Sequence, residues 1–182
     1  MARNTILRSM HAVGLAGWFG GTLANAVALN SGAAEAGDPQ SSGRGVNAGG
    51  DRWTPVNAAA IGAHLIGGAG ILAANSGRLG GQKGVAAMTV TKTALTAAAL
   101  GVTAYSRVLG QRLSDEHDVP VEAGTEPHEE TPPEQASAQR QLRQMQWAIP
   151  ALTGAMLVLN ALAGEQQRPS EVRKGLVDRL TG

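Results

Sequence analysis

The sequence contains no cysteine, which rules out disulfides and thiolate metal sites. Aromatic residues are 3% of its 182 residues, too few for a base-stacking platform. A net charge of +1 gives no grip on a phosphate backbone, so no nucleic-acid partner is expected. Charged residues are 16%, against about 25% in an ordinary soluble domain. No nucleophile elbow, phosphate loop or metalloprotease motif occurs, and no paired acid and base can be named. A non-catalytic protein without a cofactor is the expectation.

What the chain has instead is segregation. Residues 9–34, 53–77 and 144–164 carry no Asp, Glu, Lys or Arg, and residues 84–106 carry only Lys92. Each run is long enough, at ~1.5 Å per residue, to span the ~30 Å hydrocarbon core of a bilayer. Six turns of helix without a charged face do not suit water, and a domain this small lacks the surface to shield four of them. The sequence predicts an all-α fold, a four-helix transmembrane bundle with spans at about 6–29, 55–76, 84–107 and 143–164. The first run, after Arg3 and Arg8, also looks like a signal peptide ending at Ala26-Val27-Ala28. Its length, Asn25 and its glycines favour a retained span.

Punctuation supports the four spans. Asn30-Ser31-Gly32 and Asn75-Ser76-Gly77 read as helix stops. Pro55 reads as the opening of the second span, and Pro150 sits one turn into the fourth. Residues 35–52 are Gly/Ser-rich and read as a flexible loop. Residues 115–137 carry eight carboxylates and no Lys or Arg and read as a disordered acidic loop. Residues 169–182 suit a short amphipathic helix on an anionic membrane surface. Near the span ends, eight basic residues fall on one side and six on the other. That bias and the short 78–83 turn place both termini in the cytoplasm, with the protein in the cell membrane.

The spans carry polar stripes. His11, Trp18 and Asn25 are spaced by seven, as are Asn57 and His64; Thr89, Lys92, Thr96 and Thr103 line the third span, and Gln146, Thr153 and Asn160 the fourth. Such stripes turn away from lipid. His11, Trp18, Asn25, His64, Lys92 and Asn160 form the candidate polar intramembrane site. Lys92 has no Asp or Glu partner in any span and must snorkel, be hydrated or serve a solute. Counted from the span ends, His11 and His64 differ in depth by ~10 Å, which disfavours a haem held between them. Small residues such as Gly17 and Gly21, four apart, let backbones approach. The expected partners are the lipid bilayer and either further copies of the chain or another membrane protein. A carrier or sensor of a small solute or ion is the alternative.

His11, Trp18, Gly20 and Gly21 in "HAVGLAGWFGG" resemble the opening of the copper-resistance-D-like group of four-span membrane proteins. The resemblance covers about eleven residues and implies a copper association with His11 as candidate ligand. The chain departs from that chemistry in having no Cys and, beside His11, only Met10, so no metal site follows from the residues themselves. Arg outnumbers Lys twelve to three, and the whole chain is similar to small four-span proteins of actinobacteria, a likeness that implies no activity.

Overall fold

The computed structural model describes residues 4–33, 39–76, 85–115, 121–123 and 125–165, so the 169–182 tail lies outside the described residues. The fold is all-α, with four long helical rods packed antiparallel. The first comprises α1 (Thr5–Ala24), a π-helical turn (Asn25–Leu29) and α2 (Asn30–Ala33). Then follow α3 (Pro39–Ala74), α4 (Val85–Asp115) and α5 (Pro133–Glu165). Below, the end of the molecule that holds the start of α1 is called basal, the other distal.

Three rods, Thr5–Gly32, Ser41–Ala74 and Pro133–Gly164, are long and apolar enough to cross a membrane. The fourth, α4, is not among these three; Lys92 and five threonines interrupt its alanines. Each rod packs mainly on its neighbour in sequence, α1 on α3 and α4 on α5, and α1 on α5 joins the two pairs. Between α3 and α4 there is little contact. Leu15, Trp18, Ala99, Ile149 and Met156 form the central core. A smaller distal cluster joins Leu109 and Leu113 to Leu142.

Several helix boundaries differ from the sequence reading. Residues 39–52, read as a flexible loop, form the first turns of α3, and Pro55 lies inside that helix. Tertiary contact outweighs their weak helix propensity. At Gly49 an added Cβ would lie 2.8 Å from Leu29, and Asp51 pairs with Arg107 at 3.0 Å. The first Asn-Ser-Gly does not stop its helix, since Ser31 Oγ donates to the Val27 carbonyl at 2.9 Å and the Asn30 side chain donates to Gln146. The second does stop α3, where Asn75 Nδ2 caps the Ile71 carbonyl at 2.7 Å.

Within the acidic 115–137 stretch, Val121–Ala123 and Glu126–Pro127 (β1 and β2) pair antiparallel. Arg143 holds Glu126 at 2.8 Å, and His128 N donates to Thr131 Oγ1 at 3.0 Å. Beyond this turn α5 starts at Pro133, ten residues before the expected span. The first helical position tolerates proline because its N–H would be unpaired in any case.

Candidate functional site

The polar stripes turn inward as their spacing implies. Trp18 and Thr153 are fully buried, and His64 is 3% exposed. The six candidate residues do not form one site; they separate into three.

The first is a seam between α1 and α3. His11 Nδ1 donates to the His64 carbonyl at 2.9 Å, and His64 Nδ1 donates to the His11 carbonyl at 3.0 Å. A carbonyl can only accept, so both rings carry their proton on Nδ1. The two rings stack, with centroids 4.0 Å apart and planes 17° from parallel. Trp18 meets the His64 ring edge-on at 6.3 Å, and its Nε1 donates to Thr103 on α4 at 3.2 Å.

Glycine makes this seam possible. A Cβ at Gly14 would lie 2.4 Å from the Ala60 carbonyl oxygen and 2.5 Å from His64 N. At Gly67 it would lie 2.5 Å from His11 N and 2.6 Å from the Leu7 oxygen. The arrangement is locally two-fold: each histidine bonds the other's backbone, and the glycine three residues on makes room for the opposite helix. The sequence encodes this symmetry, since "HAVGLAG" at 11–17 returns as "HLIGGAG" at 64–70. That repeat was the signal for the seam, and sequence reading missed it.

The stacking overturns the expected ~10 Å depth mismatch. That estimate assumed that both spans fill the membrane between the same two planes, the start of the first level with the end of the second. The glycine contacts instead set Gly70 beside Leu7 and Gly67 beside His11, which brings His64 level with His11. Each ring, with its proton on Nδ1, keeps a bare Nε2 lone pair, but two imidazoles alone are fewer than the three ligands a metal site ordinarily needs. Among the described residues no group of three or more His, Asp or Glu is placed to hold a metal ion.

The second group is basal. Lys92 Nζ donates to Asn160 Oδ1 at 3.2 Å, so an amide oxygen supplies the partner that no carboxylate could. One turn on, the single Thr96 hydroxyl proton is shared between the Lys92 carbonyl at 2.8 Å and Met156 Sδ at 3.1 Å.

Asn25 belongs to a third region, a distal polar cleft among all four rods. Asn25, Asp51, Trp53, Asn57, Ser106, Arg107 and Gln146 are among the residues that line it. Asn57 and Gln146 stood out in sequence only as members of stripes; Trp53 and the Asp51–Arg107 pair did not stand out at all. No family model, curated protein or solved structure matches the chain.

Proposed function

We propose that this chain is a four-span, non-catalytic integral membrane protein that acts as a self-associating or accessory component of a membrane assembly. Its distribution of side chains carries the reading. Val13 on α1 is 70% exposed, Ile66 on α3 60%, Val90 on α4 67% and Val158 on α5 61%, while the polar stripes face inward. That inversion suits lipid on all four flanks. Tyr105 and Trp147, both exposed, stand towards the distal end beside Arg107 and Arg143, as interfacial anchors do. Both termini lie on the cytoplasmic side in this reading, by the distribution of basic residues.

The basal polar groups support a structural rather than a catalytic role. His11 and His64 bond each other's backbone carbonyls through Nδ1, and Lys92 donates to Asn160. The outward face of α4 supports association. Ala94, Ala97, Gly101 and Ala104 are all exposed, and a Cβ at Gly101 would meet nothing within 4 Å. Small residues of this kind allow a second helix to approach closely in lipid.

Because the chain has no cysteine, a single Ala97→Cys variant gives a clean cross-linking test. In native membranes under mild oxidant we expect a disulfide-linked dimer or a linked partner, and Gly101→Leu should reduce its yield several-fold. A chain that stays monomeric and uncross-linked overturns the assembly reading. Recovery of folded chain from the aqueous fraction without detergent overturns the membrane reading. A second prediction addresses α4 as a span. Lys92→Leu should favour its insertion by about 2 kcal/mol, below the full mid-bilayer value because Lys92 is off-centre. Glycosylation of an acceptor site placed after α4 in microsomes measures the inserted fraction.

A further inference from the structure

Lys92 is the one charged residue in the four long uncharged runs. An ammonium has three protons to donate. Among the described residues Lys92 makes one bond, to the neutral Asn160 Oδ1 at 3.2 Å, and no ion pair. The residue is only partly buried, so the fold does not seal its side chain off. Charged side chains at membrane depth ordinarily pair with one another, and Lys92 has nothing of opposite charge to pair with.

Depth narrows the source of a counter-charge. The Lys92–Asn160 and Thr96–Met156 bonds share one antiparallel register, which holds the ammonium near the level of its own helix turn. That level lies seven residues, ~10 Å, inside the start of α4 at Val85. A lipid phosphate at the basal surface is too far away for a hydrogen bond. A second copy of the chain in the same orientation brings no carboxylate to that level, since none of the four runs contains Asp or Glu. The missing acceptor is left to a different protein.

The bundle leaves a way in. α4 packs on α5, but α3 and α4 touch little. Asp51 and Arg107 tie their distal ends, so the faces that carry these two residues look across the gap. Leu65 and Leu72 follow Asp51 at multiples of seven residues, and Leu100 and Thr93 precede Arg107 likewise, so they share those faces. Leu65 and Leu72 are 39% and 44% exposed, and Thr93, next to Lys92, is exposed. Leu7 and Lys92 both lie eleven residues basal of the Trp18–Thr103 bond, and Gly70 sits beside Leu7. Lys92 is therefore about level with the stretch from Leu65 to Leu72.

We infer that the basal half of the groove between α3 and α4 docks a transmembrane helix of another protein, apolar except for one Asp or Glu at the Lys92 level. The carboxylate accepts from Lys92 Nζ, while Asn160 keeps the ammonium in place. Leu65 and Leu72 meet the apolar flank of the incoming helix. The inference rests on the membrane reading above and narrows its partner: at this face a different protein, not a second copy.

Model helices test it. The chain carries a donor dye at Ala155→Cys, an exposed position on α5, in phosphatidylcholine vesicles. An acceptor-labelled leucine–alanine transmembrane peptide is added with one Glu about 10 Å from its end, or with Gln at the same place. Energy transfer should saturate with the Glu peptide and need on the order of tenfold more of the Gln peptide. Lys92→Met, which inserts at least as readily, should abolish that preference with helical content unchanged by circular dichroism; Lys92→Arg should keep it. Phosphatidylglycerol in the vesicles should not displace the Glu peptide. Equal transfer with both peptides, a preference that survives Lys92→Met, or displacement by phosphatidylglycerol overturns the inference. Transfer between copies of the chain without preference among the peptides also overturns it, while self-association stands. A chain that does not float with the vesicles overturns the membrane reading itself.

Discussion

Replacing Gly14 by leucine should destabilise the protein by about 3 kcal/mol. The new Cβ would stand 2.4 and 2.5 Å from backbone atoms of α3, which cannot rotate aside as a side chain can. Restoring ordinary contact requires α1 and α3 to move apart by about an ångström. The two histidine bonds, now 2.9 and 3.0 Å, then stretch past the useful range. Gly67→Leu should act alike and, at the same seam, less than additively with Gly14→Leu. Gly62→Ala is the contrast: a Cβ there meets nothing, so a small gain from helix propensity is expected. Unfolding in mixed detergent, followed by circular dichroism, measures all four variants. Equal stability of Gly14→Leu and the native chain would remove the seam as a determinant of the fold.

Trp18→Ala should cost more, about 4 kcal/mol. The side chain is fully buried among Leu15, Ala99, Ile149 and Met156. It also reaches two other rods through ring and polar contacts, resting on His64 of α3 and bonding Thr103 of α4. Trp18→Phe separates these roles. It keeps most of the volume and gives up the N–H, so about 1 kcal/mol is expected from the lost bond, beyond a modest packing deficit. The same unfolding measurement decides between the two. If Phe and Ala prove equally harmful, the Thr103 bond and not the packing carries the site.

The long rods and their inward faces were legible because both follow from simple periodicities. Absent charges mark the helices, and a spacing of seven put His11, Trp18 and Asn25 on one side. The register was not legible. Depth counted from the span ends near residues 6 and 55 assumes that both spans fill the membrane between the same two planes, whereas Gly14, Gly67 and Gly70 fix how far one helix slides along the other. The small-residue pattern had drawn attention to Gly17 and Gly21. Gly21 does receive a side chain, Trp53, while a Cβ added at Gly17 would meet only the Ala60 Cβ, at 3.3 Å.

The helix over 39–52 was missed for a related reason. A run of Gly and Ser reports local propensity, and propensity yields to packing; Gly49 against Leu29 and Asp51 against Arg107 are long-range facts. The distal cleft was hidden because its members are spread over four rods.

The pairing of rods also has a bearing on how the molecule is built. The N-terminal hairpin holds its own histidine clasp and glycine fit, so these contacts need nothing from the C-terminal hairpin and can form while it is still being synthesised. What remains is a single docking event, in which Trp18 and Phe19 of the first hairpin receive Thr103 and Gly154 of the second.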